Sequence, residues 1–299
     1  MSRGVGGSTR LVGLIGWPVA HSLSPAMHNA AAAALGLDLL YVPLPVRPAD
    51  LPAAARGLPA LGFLGANVTI PHKQVIMPFL DEIEPAAQAI GAVNTIVVNE
   101  QLAMNNEQLT MKNEQLAMNK CQLHGHNTDW AGFLADLHEL GVEVAGRECL
   151  VLGAGGSARA VVYALLAAGS HVHVLARRPE QAHDLAQSFA PFALTPHSLA
   201  ELPNVVAVTR PALIVNTTPL GMTPHQDTSP WPADLLFPPS AFVYDLVYNP
   251  RETRFLQQAK AAGCRAANGL GMLVQQGALA FQLWTGQQPD TAVMRAAVG

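Results

Sequence analysis

The sequence predicts an α/β protein of two domains, and three observations carry that prediction. Short apolar runs alternate with Ala- and Leu-rich segments of helical length. One strand–glycine turn–helix–strand unit occupies about thirty residues from Glu148 to Arg178. The chain of 299 residues, half of them hydrophobic, is also long enough for two domains of ordinary size.

With 13% charged residues a substantial core can form, and global disorder is excluded. A net charge of −4 without any run of basic residues argues against a nucleic-acid partner. Cys121, Cys149 and Cys264 are odd in number and widely spaced, so they form neither a disulfide framework nor a metal quartet. That usage fits a reducing compartment. The apolar run Leu11–Ile15 is too short for a signal-peptide core, and no stretch reaches membrane-spanning length. A soluble, cytoplasmic protein with no membrane partner is expected, as a monomer or a homodimer.

Leu11–Ile15 reads as the first strand. Ser24 before Pro25 then starts a helix, with Ser as N-cap and Pro at the first helical position, and Gly36 ends it. Ser22 is not explained by that cap. Two hydroxyls and a histidine, His21, at a strand's end suit a polyhydroxylated ligand, although capping and turn chemistry would also account for them. Leu39–Pro45 is a second strand and Ala49–Arg56 a helix. A third strand, Gly62–Thr69, ends at Asn67-Val68-Thr69-Ile70-Pro71-His72-Lys73. Lys73, two residues after Pro71, is expected in the first turn of a helix, where it opposes the helix dipole. Such a cost is tolerated where function needs it, and a partly buried lysine can give or take a proton. A solvated surface lysine is the plainer alternative. Gly91–Thr95 leads into a strand at Ile96–Val98.

Three near-identical seven-residue units follow, Asn99–Asn105, Asn106–Lys112 and Asn113–Asn119. Their Leu and Met recur with period seven but two apart, which makes no coiled-coil seam. The repeat reads as a polar expansion of a hairpin loop, with a short protruding helix as the alternative. His124 and His126 alternate along the next strand, yet no further ligand is near, and no metal is expected. Asn127-Thr128-Asp129 opens a helix to about Leu140; capping and ligand binding explain these residues equally well.

The Glu148–Arg178 unit is the dinucleotide-binding pattern. Strand Cys149–Leu152 turns through Gly153-Ala154-Gly155-Gly156-Ser157-Ala158 into a helix that stops at Gly169. Gly153 permits the tight turn, Gly155 lets backbone approach a pyrophosphate, and Ala158 keeps helix and strand close. The helix N-terminus offers unpaired N–H groups to phosphates. The second strand ends on Ala176-Arg177-Arg178 instead of the acid that reads a ribose hydroxyl. Arginine suits a 2′-phosphate, so NADP(H) is favoured over NAD. Further strands at Ala212–Val215, Phe242–Val247 and near Cys264–Ala267 place the loops after them at the ligand-binding edge. A mostly apolar helix from Met272 to about Trp284 carries Gln276, for which a solvent-facing position is the plain reading.

From about Leu11 to Trp284 the chain resembles the shikimate dehydrogenase family, with six blocks in order. They are Gly16–Asn29, Asn67–Lys73, Gly91–Thr95, Gly125–Asp129, Gly153–Ala158 and Gly269–Gln276. The resemblance implies an NADP-dependent oxidoreductase acting on a CH–OH group, which reduces 3-dehydroshikimate to shikimate in aromatic amino-acid biosynthesis. It implies Lys73 and Asp129 as catalytic pair, and Ser22, Ser24, Thr69, Asn94, Asp129, Tyr248 and Gln276 as substrate contacts. It implies cofactor contacts from Gly153, Ala154, Gly155, Gly156, Ser157, Ala176, Arg177, Arg178, Leu246 and Gly269. Where the family often has Asn-Arg-Thr this chain has Ala176-Arg177-Arg178, keeping the middle arginine. The implied architecture is an α/β substrate domain at 1–128, completed by a C-terminal helix at 269–299, and a Rossmann-type NADP domain at 129–268. The active site would lie in the cleft separating them, with the repeat at 99–119 an insertion. An NAD-using quinate/shikimate dehydrogenase would instead carry an acid near Arg177, and a non-catalytic shikimate sensor would have lost the Lys73/Asp129 pair or the glycine turn.

Overall fold

A computed structural model describes residues 5–99, 122–190, 192 and 194–299. The body of the repeat at 99–119 and Cys121 lie outside the described residues. Contact clustering divides the chain into two compact units. Unit 1 comprises Met1–Gln88, Ala92–Asn127 and Ala280–Gly299, and unit 2 comprises Ala89–Gly91 and Thr128–Leu279.

Unit 1 is built on β1 (Arg10–Gly16), β2 (Leu39–Pro45), β3 (Phe63–Val68), β4 (Glu82–Ile83), β5 (Thr95–Asn99) and β6 (Gln122–His126). The sheet order is β2-β1-β3-β5-β6-β4, and β5 alone runs antiparallel to its neighbours. Strand alternation sends Ile15 into a cluster with Ala66, Val68, Ile96 and the helix residues Leu51 and Leu58. Val12 and Leu14 face the other way, against Tyr41, Ala280 and Trp284. Helices α1 (Ser24–Ala34), α2 (Leu51–Ala60) and α10 (Thr291–Ala296) also belong to this unit. The short helix α3 (Pro85–Ile90) falls where no helix is expected from the sequence, because six residues carry too little periodicity.

Unit 2 holds a fully parallel sheet of β7 (Glu148–Leu152), β8 (His171–Ala176), β9 (Leu194–Ser198), β10 (Leu213–Asn216), β11 (Phe242–Asp245) and β12 (Arg265–Asn268). Its order, β12-β11-β10-β7-β8-β9, is the doubly wound arrangement, with β7 and β10 flanking the point where strand order reverses. Both faces are covered, which is why β7 reads as an unbroken apolar run. Cys149 and Val151 pack with Phe133, Leu137, Val161 and Leu165. Leu150 and Leu152 pack with Leu202, Val205, Phe255 and Leu256. At roughly 2 kcal/mol per fully buried aliphatic side chain, this two-sided burial is the main force holding the sheet. The covering helices are α4 (Asp129–Glu139), α5 (Gly156–Ala167), α6 (Pro179–Ser188), α7 (Leu202–Thr209) and α8 (Arg254–Ala261).

Helix α9 (Leu270–Thr285) is divided at Leu279/Ala280. Its first part approaches α4 so closely that a Cβ on Gly132 would lie 2.6 Å from Gln276 N. Its last part packs Phe281 and Trp284 around His28 and Tyr41.

Candidate active site

In unit 1 the strand register gathers the polar blocks on one edge. Ile15 of β1 pairs with Val68 of β3, Asn67 with Thr95 of β5, and Thr95 with His126 of β6. The segments leaving β1, β3 and β6, and the one entering β5, therefore share that edge. They carry Ser22 and Ser24, Thr69 and Lys73, Asn127, and Asn94 respectively. Backbone bonds lace them together: Thr69 N donates to Ile15 O at 2.9 Å, Trp17 N to Ile70 O at 3.0 Å, and Val93 N to Lys73 O at 2.7 Å. Lys73 is thus held beside the Val93–Asn94 segment.

Two local expectations change. Lys73 sits in a run of turns before a 3₁₀ turn at Met77–Phe79, not in the first turn of a helix, so no helix dipole opposes it. Pro71 and the neighbouring turn consume the residues a helix start would need. Helix α1 begins at Ser24 itself, one residue earlier than a Ser24 cap requires, and Ser22 Oγ accepts from Ser24 N at 3.2 Å. Ser22 therefore does local turn work, and Ser24 is buried.

Asn94 stands at the end of a buried polar chain. Tyr41 OH donates to Asn67 Oδ1 at 2.8 Å, and Asn67 Nδ2 donates to Asn94 O and Thr95 Oγ1, both at 3.1 Å. Thr95 Oγ1 then donates to Asn94 Oδ1 at 3.1 Å. Asn67 opens one of the six blocks, but Tyr41 reads as an ordinary strand residue, because its partner lies 26 positions away.

In unit 2 all strands are parallel, so every segment following a strand leaves from one edge. After β7 comes the glycine turn, with Gly153 at φ +113° packed against Thr217 Oγ1. Nothing lies within 4 Å of where a Cβ on Gly155 would stand, and α5 has no side-chain cap on its first turn. That leaves backbone N–H groups for a phosphate, as a dinucleotide needs. Ala158 is fully buried in the core below. After β8 come Ala176, buried, and Arg177 and Arg178, both exposed, which fits a 2′-phosphate. Leu246 and Tyr248 follow β11, and Gly269 follows β12, where a Cβ would strike Leu246 O. Burial raises the pKa of the Tyr248 phenol. Ala154, Gly156 and Ser157 complete the turn.

Thr128 and Asp129 open α4, both buried. Thr128 Oγ1 donates to Gln276 Oε1 at 3.4 Å, and Gln276 Nε2 donates to Leu273 O at 2.8 Å. Gln276 is 8% exposed, so it does not face solvent as its helix position suggested. The close α4–α9 approach at Gly132 is what buries it. Also missed from sequence is Asp245 at the end of β11, wholly buried, whose carboxyl burial pushes up to about 6. No cluster of His, Cys, Asp or Glu able to hold a metal occurs among the described residues, and no helix among them is long and apolar enough to cross a membrane.

The family model described as the shikimate dehydrogenase substrate binding domain matches residues 14–96, and that of the shikimate 5'-dehydrogenase C-terminal domain matches 269–298. The shikimate dehydrogenase (NADP(+)) of Moorella thermoacetica is 50% identical over 291 residues, covering 96% of this chain and 92% of the relative. The crystal structure of shikimate 5-dehydrogenase from Thermus thermophilus in complex with NADP(H) and shikimate superposes with a TM-score of 0.80 at 40% identity, over 96% of this chain and 98% of that one. Quinate dehydrogenase from Corynebacterium glutamicum in complex with NAD gives a TM-score of 0.82 at 32% identity, over 97% and 98% of the two chains. Fold, ordered blocks and near-full-length identity lead to one assignment: the chain belongs to the shikimate dehydrogenase family.

Proposed function

We propose that this protein catalyses the reversible NADPH-dependent reduction of 3-dehydroshikimate to shikimate, a step of aromatic amino-acid biosynthesis. The observation that carries the reading is the gathering, by strand register and the backbone bonds beside it, of Ser22, Ser24, Thr69, Lys73 and Asn94 on one edge of the unit 1 sheet.

Ser22 and Ser24 hold the substrate carboxylate, while Thr69, Asn94, Gln276 and Tyr248 hold the rest of the ring and its hydroxyls. Gly153, Ala154, Gly155, Gly156 and Ser157 hold the pyrophosphate of NADP(H), Ala176, Arg177 and Arg178 its 2′-phosphate end, and Leu246 and Gly269 the nicotinamide end. The bound cofactor supplies the hydride. Reduction of a ketone builds negative charge on its oxygen, and a positioned cation lowers the cost of that charge. Lys73 Nζ stabilises this oxygen and delivers a proton to it; in the oxidation direction it takes the proton back. Asp129 orients the lysine and the reacting hydroxyl. The protein works in the cytoplasm as a monomer or homodimer on these two small molecules.

An NAD-dependent quinate activity is the second reading, prompted by the likeness to quinate dehydrogenase. Arg177 opposes it, because its charge complements the extra phosphate of NADP. Purified protein incubated with shikimate and NADP⁺ should form reduced nicotinamide, with quinate and NAD⁺ the poorer pair. Lys73→Ala should cut that turnover by a factor on the order of 10² or more, as loss of a positioned proton donor does. Turnover chiefly with quinate or NAD⁺ would replace the proposal with the second reading, and shikimate binding without turnover would make the protein a sensor.

A further inference from the structure

A single buried carboxylate ties the loop that follows β10 to the loop that follows β11. Asp245, the last residue of β11, accepts from Asn216 Nδ2 at 2.8 Å and from Val247 N at 3.0 Å on Oδ1. Its Oδ2 accepts from Thr253 Oγ1 at 2.5 Å. All three donors are neutral, and the residue is wholly shielded from solvent. An ionised carboxylate without a cationic partner costs free energy to bury, so it needs a reason to be there.

What it holds supplies that reason. Asn216, fixed by Asp245, accepts on its own Oδ1 from Thr218 N at 2.9 Å and Thr218 Oγ1 at 2.7 Å. The adjoining Thr217 donates to Leu152 O at 2.7 Å and packs 2.6 Å from where a Cβ on Gly153 would sit. The path therefore runs from the glycine turn, through the loop after β10, to the carboxylate. On its other side Asp245 fixes Val247 N, one residue before Tyr248, and Thr253, which accepts from Leu256 N at the start of α8.

We propose that Asp245 is a positioning residue for cofactor binding, clasping the loop that abuts the glycine turn to the loop that carries Leu246 and Tyr248. This rests on the reading of unit 2 as the NADP(H) site. Acceptors on one carboxylate set both loops at once, so loosening it changes the spacing of the pyrophosphate and nicotinamide ends together. The groups gathered on the unit 1 edge are not on this path. Of the proposed shikimate contacts only Tyr248 lies on it, so loosening the clasp should fall more heavily on NADP⁺ than on shikimate.

The test uses the full-length enzyme, first shown to turn over shikimate with NADP⁺; absence of that turnover would overturn the proposed function and is read before any variant. Asp245→Asn and Thr253→Val should each raise KM for NADP⁺ about five- to tenfold, with a clearly smaller rise in KM for shikimate through Tyr248. Thr253→Ser, which keeps the hydroxyl, should restore the wild-type KM for NADP⁺. Should Asp245→Asn not accumulate as folded protein, the Thr253→Val and Thr253→Ser pair decides alone. A melting temperature lowered with KM for NADP⁺ unchanged, or both KM values raised equally, would overturn the inference and leave Asp245 a stabilising residue only.

Discussion

His28 is a fully buried imidazole stacked on Tyr41, with centroids 4.4 Å apart and planes 7° from parallel. Phe281 and Trp284 also pack around it, and neither ring nitrogen has a hydrogen-bond partner among the described residues. Burial lowers its pKa from the ordinary 6.5 to about 3. The unfolded chain therefore takes up a proton first as pH falls, so stability is lost from about pH 6.5 downward until the folded pKa is reached. Between pH 6.5 and 5 that loss is about 2 kcal/mol. His28→Phe, which keeps the stack, should flatten the fall in melting temperature over that range; an unchanged slope would mean another group controls acid sensitivity. Arg177 tests the cofactor side at the same scale. Arg177→Asp should weaken NADP⁺ at least about tenfold and favour NAD⁺, since one lost charge-assisted contact is worth about 1.5–3 kcal/mol. Equal effects on both cofactors would assign Arg177 a role other than reading the phosphate.

Among the elements, the approach of α4 to α9 has the clearest consequence. A Cβ on Gly132 would meet Gln276 N at 2.6 Å and Gln276 Cα at 2.8 Å, backbone that cannot swing aside. Gly132→Ala should cost about 2 kcal/mol of stability through overpacking. It should also raise KM for shikimate, because Gln276 moves with its helix; urea unfolding and initial-rate kinetics measure the two. A rise in KM absent while stability falls would remove Gln276 from the substrate contacts. Most elements expected from the sequence reappear with ends shifted by a residue or two, as at β7–α5, whereas α2 runs to Ala60, four residues past the expected Arg56. The expected helix at Lys73 is absent for a local reason: two residues past Pro71 the chain is occupied with turns that return Val93 N to Lys73 O. That partner is 20 residues distant in the chain, beyond any helix-start signal.

For the whole molecule, the insertion can be tested without reference to its own conformation. Asn99 and Gln122 pair across β5 and β6, so a two-residue Asn-Gly turn in place of 100–121 would join ends already in register. Melting temperature and shikimate turnover should both be retained; loss of turnover with the fold intact would give the repeat a functional part. The residues of the six blocks, the glycine turn in its strand-to-helix setting and the arginines after β8 were legible in the sequence, because each is a local pattern with a local physical cause. So was strand β7, from the apolar run Cys149–Leu152. Strand order was not, nor the edge that gathers Lys73 with Asn94, nor the burial of Gln276, nor the clasp at Asp245. Those depend on which strands pair and which helices touch, contacts made over tens to more than a hundred residues of chain. Sequence by itself thus determined the chemical groups and the local turns that present them. Tertiary structure alone decided which of them meet, since pairing and burial are settled by surfaces that come together only when the chain folds.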